Sequence, residues 1–165
     1  MKLCVTLSLV GALLCAPAWA EEKIAIEGGS GIHWSKSVRD AWFVRYSNEL
    51  KFPSYPEQEG FYEISLGDWN GKYPNTAVGL AVGARVRWQG FHLDGSVGVA
   101  YAENKTFLSN THQEFILRYG LGYTVGKFDF GVYETHYSNA RVIFGWDGKN
   151  VGYDFLTFQI GYVLK

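Results

Sequence analysis

Apolar and polar residues alternate along most of this chain, and that period of two restricts its fold more than any other feature. Val78, Leu80 and Val82 share one face of a segment whose other face carries glycine, alanine and arginine. Successive side chains of a β-strand point to opposite faces, so the pattern predicts strands with one apolar face. No helical period of useful length competes with it. The predicted strands are 24–33, 40–49, 60–68, 77–88, 91–101, 113–125, 127–138 and 153–164.

The composition indicates where such strands would reside. The chain has 20 glycines, 17% aromatic residues and only four prolines, which is typical of a transmembrane barrel. Eight strands of this length can span a bilayer when they are tilted. We therefore predict an all-β fold, an eight-stranded antiparallel transmembrane β-barrel of the bacterial outer membrane. Its predicted lipid-facing residues include Val78, Leu80, Val82, Phe115, Leu117, Phe128, Phe130, Phe158 and Ile160.

The opposite strand faces predict a packed, charged lumen. A barrel of eight strands has room for side chains and little else, so a pore is not expected. The charges assigned to the lumen are balanced in sign, as mutual pairing requires: Glu27, Glu63, Asp94, Glu114 and Asp129 with Arg45, Arg85, Arg87, Arg118 and Lys127. Aromatic residues near strand ends predict girdles at the membrane interfaces: Trp34, Trp42, Trp69, Trp88, Tyr101 and Trp146.

The first residues predict secretion. Residues 1–20 have a charged start at Lys2, a short apolar run and a small-residue cleavage site at Ala18-Trp19-Ala20, which is the pattern of a signal peptide. Both cysteines fall inside it, so the remaining domain, 21–165, is expected to fold without a disulfide. A formal net charge of −1 gives no reason to expect nucleic-acid binding.

Connection lengths predict the orientation of the barrel. Short turns of outer-membrane barrels face the periplasm and long loops face outward. With both termini periplasmic, the seventh strand would carry its last residues to the outer end. The predicted tight turns are 89–90 and 126–127, and the predicted long loops are 69–76, 102–112 and 139–152.

A nucleophile, a base and an acid are predicted to meet at that outer end. His136 and Ser138 lie two residues apart on one strand face, and Asp154 begins the next strand on the same face. A serine needs a base to take its proton, and the base needs an acid to fix its tautomer. Asn139 could donate an amide hydrogen bond to a developing oxyanion. Glu134 shares the face with His136 and is the alternative acid, ranked second because a carboxylate deeper in the membrane is costly.

Two short segments resemble the PagL family of outer-membrane lipid A 3-O-deacylases. They are His136-Tyr137-Ser138-Asn139-Ala140 and, after a loop, Asn150-Val151-Gly152-Tyr153-Asp154. The resemblance implies an outer-membrane carboxylic ester hydrolase that acts on lipid A of lipopolysaccharide and frees a 3-hydroxyacyl chain. It implies a histidine and a serine in the first segment and an acid after the second. That acid is usually glutamate in the family, whereas this chain has the shorter aspartate.

Two other functions compete with catalysis. A non-catalytic structural or adhesive barrel would make the three residues coincidental, and a lipocalin-type carrier would need its apolar face inside. No metal-ligand spacing and no cofactor motif is present, and His33, His92 and His112 are expected in the lumen or in loops. The sequence leaves open whether the barrel forms a homodimer. Basic residues expected in outer loops could position lipid A phosphates: Lys36, Arg39, Lys72, Lys105, Arg141 and Lys149.

Overall fold

Eight antiparallel strands in the described part of the chain, each paired with its neighbour in sequence, form a barrel that is closed by pairing of the first strand with the last. The computed structural model describes residues 21–51, 59–139 and 151–165. A short 3₁₀ helix, His33–Ser35, follows the first strand. The strands are β1 (Glu22–Gly31), β2 (Val38–Lys51), β3 (Glu59–Gly71), β4 (Asn75–Trp88), β5 (Phe91–Ala102), β6 (Gln113–Val125), β7 (Phe128–Ser138) and β8 (Tyr153–Val163).

The barrel has two distinct ends, which we call upper and lower. The upper end carries the connections β1–β2, β3–β4, β5–β6 and β7–β8, and the lower end carries Glu22, Val163 and the tight turns at Gly90 and Gly126. The predicted strand ends differ from the observed ones by at most three residues. The long loop predicted at 69–76 is wrong: β3 and β4 extend until only 72–74 separate them.

The outward face of the barrel is apolar, as predicted. Phe158, Ile160 and Val78 have 66%, 60% and 53% of their surface exposed, and the other predicted lipid-facing residues alternate in phase with them. Only Phe115 among them is partly buried. An exposed apolar band of this kind matches an outer-membrane barrel and excludes a lipocalin-type carrier, whose apolar face lies inside. No helix among the described residues is long and apolar enough to cross a membrane.

Charged side chains fill the lower and middle lumen. Glu27 contacts both Arg45, at 3.0 Å, and Arg118, and Arg45 also donates to Glu63 at 2.7 Å. All four side chains are at most 5% exposed. Since a buried charge is tolerated only when it is paired and hydrogen-bonded, this network explains how a narrow lumen holds so many ions.

A second lumen network contains a histidine that the sequence placed in the lumen or a loop. His92 Nδ1 lies 3.0 Å from Asp94 and its Nε2 lies 2.7 Å from Asp129. Lys23 reaches Asp129 at 2.9 Å, and Arg85 binds Asp94 through two hydrogen bonds of 2.7 and 2.9 Å. His92 is therefore part of the packed lumen of the barrel.

Two of the predicted lumen and girdle assignments are wrong. Lys127 lies exposed in the β6–β7 turn, with its Nζ 5.7 Å from the Tyr162 ring, and Lys23 is the lysine inside the barrel. Trp69 points into the barrel and is 1% exposed, whereas Trp34, Trp42 and Trp88 are exposed as a girdle requires. Trp146 lies outside the described residues.

An aromatic cluster fills the lumen at the upper end. Trp69 packs with ring centroids 5.1 Å from both Tyr153 and Phe155, and Phe43 stacks on Tyr137 at 6.2 Å. These five rings are at most 1% exposed. Large aromatic side chains bury much apolar area each, so this cluster holds the upper ends of β2, β3, β7 and β8 together.

We expect the Glu27→Gln variant to lose about 3 kcal/mol of unfolding free energy, because Arg45 and Arg118 would then be buried without their shared carboxylate. Urea unfolding of the barrel in detergent, followed on gels by its heat-modifiable mobility, measures this. The control is Glu22→Gln, which removes an ion pair with the exposed Lys165 and should change stability by less than about 1 kcal/mol. Equal stability of the two variants would contradict the prediction.

Candidate active site

His136 and Asp154 face each other across the β7–β8 ladder at the upper end. They are direct partners in the register, and His136 Nδ1 lies 2.6 Å from Asp154 Oδ1. The imidazole is 32% exposed and the carboxylate 11%. A hydrogen bond from Nδ1–H to a carboxylate fixes the neutral tautomer whose Nε2 carries the free lone pair. The pair therefore presents a base on the outer surface of the barrel.

Ser138 continues the same face of β7 above His136. Its backbone pairs with Phe115 of β6, and the residue is 6% exposed. Positions two apart on a strand have Cα atoms roughly 6.6 Å apart and side chains on the same side. Asn139 follows directly and is 2% exposed. The nucleophile and base predicted from the sequence thus lie together with an acid on one outward patch.

Glu134, the alternative acid predicted from the sequence, lies near a different histidine. It lies one step below His136 on the same face, but its carboxylate is 3.6 Å from Nε2 of His33. Its β8 partner is Leu156, whereas the partner of His136 is Asp154. Of the two candidate acids, Asp154 is the one that contacts the imidazole.

Two other connections of the barrel hold in place the acid-bearing segment, which we define as residues 151–154. The hydroxyl of Ser35, in the 3₁₀ helix, accepts a 2.8 Å hydrogen bond from the Asp154 amide and contacts the Gly152 carbonyl at 3.4 Å. From the β5–β6 loop, the Leu108 carbonyl accepts hydrogen bonds from the amides of Val151 and Gly152 at 3.1 and 2.9 Å. Ser35 and Leu108 were not among the predicted site residues, because nothing local in the sequence links them to residues so distant along the chain.

Gly152 packs against the imidazole in a conformation that suits glycine. Its φ is +76°, and a Cβ at this position would lie 2.6 Å from His136 Cε1. The backbone of the acid-bearing segment therefore covers one side of the ring. Glycine is needed here both for its left-handed backbone and for the space it leaves to the histidine.

An alanine at Gly152 is consequently expected to displace His136, the base predicted from the sequence, and to lower the predicted ester hydrolysis by about 100-fold, since small misplacements of a catalytic group are costly. Gly126→Ala is the matched control: its φ of +59° imposes similar backbone strain, but no atom lies within 4 Å of the added Cβ. The measurement is the activity of both purified variants on one ester substrate. A similar loss in both would mean that strain, and not contact with His136, is responsible.

Two apolar grooves lie on the outer surface beside this patch. One, of about 530 Å³, extends below Glu134 and is lined by Val132, Phe130, Phe158 and Ile160, among others. The other, of about 640 Å³, crosses β3 to β6 and reaches Asn139. Hydrocarbon chains of lipids fit such grooves because both surfaces are apolar.

No group of three or more histidine, cysteine, aspartate or glutamate side chains in the described ranges is arranged to hold a metal ion. The basic residues Lys36, Lys72 and Lys105 are exposed in loops of the upper end, as predicted, whereas Arg39, which is also exposed, is the second residue of β2 and does not lie in a loop. Arg141 and Lys149 lie outside the described residues.

The fold and the patch together define a class: an eight-stranded outer-membrane barrel with a histidine–aspartate pair and a serine on its outer face. Residues 40–163 match the model of the family described as lipid A 3-O-deacylase (PagL). This chain belongs to the lipid A 3-O-deacylase (PagL) family. The matched region contains every residue of the patch apart from the supporting 3₁₀ helix.

Solved structures agree with this assignment at the level of fold. The crystal structure of the outer membrane enzyme PagL superimposes with a TM-score of 0.66, at 16% identity, over 85% of this chain and 98% of that one. The Yersinia pestis outer membrane protein Ail, solved in a phospholipid bilayer nanodisc, has a TM-score of 0.56 at 11% identity, over 88% of this chain and 99% of Ail. Among curated proteins, the sequence comparison found no significant match.

Proposed function

We propose that this protein is a serine esterase of the outer membrane that hydrolyses the 3-O-linked acyl chain of lipid A. Ser138 is the nucleophile, His136 the general base and Asp154 the acid that orients the imidazole. The 2.6 Å contact between His136 Nδ1 and Asp154, on the face that also carries Ser138, is the observation on which the proposal rests. Membership of the lipid A 3-O-deacylase family supports the substrate.

The reaction proceeds in two halves. His136 Nε2 takes the Ser138 proton as the hydroxyl oxygen attacks the ester carbonyl, and the proton then passes to the leaving sugar oxygen. The product of this half is an acyl-serine and a free 3-hydroxyl on the sugar. In the second half His136 activates a water, which releases the fatty acid and restores Ser138. The amide of Asn139 stabilises the oxyanion that forms in each half.

The location of the patch suits a substrate that stays in the membrane. We propose that the upper end faces outward, so that Ser138 lies near the boundary between hydrocarbon and lipid A sugars. The acyl chain would remain in the apolar groove against Phe130 and Val132, and no extraction of the lipid would be needed. Exposed basic residues at this end, such as Lys36 and Lys105, would attract the lipid A phosphates.

Secretion to this membrane requires an export signal, and we propose that residues 1–20 supply it and are then removed. These residues lie outside the described part of the chain. The mature domain would begin at Glu21, one residue before β1.

Mass spectrometry of lipid A tests the proposed function. Expression of the full chain in a bacterium whose lipid A retains its 3-O-linked chain should remove a single 3-hydroxyacyl group and leave the other chains intact. The barrel must be shown in the same cells, by membrane fractionation and heat-modifiable gel mobility. An unchanged lipid A mass in cells that contain the folded barrel would overturn the proposal.

A further inference from the structure

Glu134 is a carboxylate on the membrane-facing side of the barrel that the proposed catalytic mechanism does not use. Its side chain is 26% exposed and lies on the same face as His136, Val132 and Phe130. A carboxylate partly removed from water needs hydrogen-bond donors to offset its lost hydration. A carboxylate among apolar neighbours therefore requires a hydrogen-bond donor nearby.

The protein supplies part of that partnership. Nε2 of His33 lies 3.6 Å from the Glu134 carboxylate, beyond ordinary hydrogen-bond distance. Tyr119 is the direct β6 partner of Glu134 on the same outward face, so its phenol ring lies beside the carboxylate. We call these three side chains the polar notch. Because a carboxylate has two oxygens and about four acceptor positions, the notch retains room for a further donor.

The position of the notch decides which substrate atoms meet it. Along β7, Glu134 lies between His136 above and the apolar groove at Val132 below. Consider an acyl chain with its carbonyl at Ser138 and its tail in that groove. The first few carbons after the carbonyl must then lie over Glu134. Plain methylenes there would cover the carboxylate and remove its water without giving a hydrogen bond in return.

Resting on the proposed esterase function, we propose that the polar notch is a specificity site that selects acyl chains with a hydroxyl group close to the scissile ester. The hydroxyl donates its proton to the Glu134 carboxylate in a charge-assisted hydrogen bond. A chain without the hydroxyl is disfavoured, since it removes water from the carboxylate without supplying a hydrogen-bond donor in its place. Sites that hydrogen-bond a substrate hydroxyl reject the analogue that lacks it for this reason.

Kinetics with matched esters test the proposal. The substrates are two acylated glucosamine phosphates in detergent micelles that differ only in a hydroxyl at carbon 3 of the acyl chain. The wild-type protein should favour the hydroxylated ester by about 10- to 100-fold in kcat/KM, because the partly exposed site discriminates less than a closed one. In Glu134→Leu, kcat/KM should fall for the hydroxylated ester and rise for the other, so that the ratio approaches 1.

Opposite changes in kcat/KM for the two esters indicate a role of Glu134 in specificity. A purely structural role would lower kcat/KM for both esters together. Asp68→Asn is the control, because it removes an outward carboxylate on β3 that bonds Thr76, and it should leave the ratio unchanged. A wild-type preference near 1, or a preference that persists in Glu134→Leu, would overturn the specificity site.

A binding measurement separates this proposal from the esterase mechanism. Non-hydrolysable ether analogues, with and without the hydroxyl, are titrated calorimetrically into Ser138→Ala protein and into Ser138→Ala with Glu134→Leu. The hydroxyl should tighten binding about 10-fold only where Glu134 is present. If the wild-type protein hydrolyses neither ester yet the analogues show this difference, the esterase function fails and the hydroxyl site stands. If both esters are hydrolysed and neither assay shows discrimination, the esterase function stands and the hydroxyl site fails.

Discussion

The Ser138→Ala variant is expected to remove lipid A deacylation almost completely, by at least about 10⁴-fold in kcat. In the proposed mechanism the side-chain oxygen forms the acyl intermediate, so no neighbouring group can replace it once the hydroxyl is gone. Ser138 is buried at the end of β7, and removing one oxygen there leaves only a small space. The barrel should therefore remain intact while the chemistry stops.

The measurement is release of fatty acid from purified lipid A by the folded variant. Ser30→Ala is the matched control, because Ser30 is an exposed serine near the upper end of β1, beside Leu156 of β8. It should retain wild-type activity. Substantial deacylation by Ser138→Ala would remove the serine from the mechanism and leave His136 and Asp154 to activate water directly.

The strands and their lipid-facing sides could be predicted because the face on which a side chain lies depends only on whether its position along the strand is even or odd, which we call its parity. Once Val78 faces lipid, Leu80 and Val82 must do so as well, and a shift by one residue would move all of them into the lumen. The same parity placed Asp129 and Arg85 inside, where they are found. Such a pattern can be recognised in the sequence because only one of the two faces of each strand is buried in the lumen.

Parity does not give the height of a residue in the lumen or the identity of its partners. Trp69 has the parity of a lumen residue, but its position near a strand end suggested an interfacial girdle. It is buried because four other rings converge there from β2, β7 and β8. Lys127 was misplaced for a related reason: one residue decides whether a position belongs to the strand or to the turn.

The contact of His136 with Asp154 could be anticipated because the two residues share a face on strands that are adjacent in sequence. The register that makes them direct partners could not, since the β7–β8 connection is too long to fix it. The contact of Glu134 with His33 was also beyond prediction. It depends on the 3₁₀ helix, where His33 has a φ of +49° and reaches toward β7 beyond its own neighbouring strands.

The Asp154→Asn variant should lower deacylation by about 10³- to 10⁴-fold while leaving the barrel folded. An amide at this position can donate a hydrogen bond to His136 Nδ1, which favours the tautomer with its proton on Nε2, and that nitrogen could then no longer accept the proton of Ser138. Purified protein and lipid A in detergent provide the rate. Glu134→Gln should lower the deacylation rate of the same lipid far less. If Glu134→Gln lowered the rate more than Asp154→Asn, Glu134 would be the acid that orients His136.

A glutamate at position 154 tests how closely the acid must fit. Asp154 reaches His136 at 2.6 Å with its backbone held by the Ser35 hydroxyl and the Ile32 amide, so the shorter side chain needs no movement of β8. Asp154→Glu adds a methylene on a residue that is only 8% exposed, yet it keeps the carboxylate. It should therefore retain far more activity than Asp154→Asn, within about 100-fold of wild type. Equal inactivity of the two variants would mean that the position of the carboxylate matters as much as its charge, because the segment from Gly152 to Asp154 leaves no room for adjustment beside the imidazole.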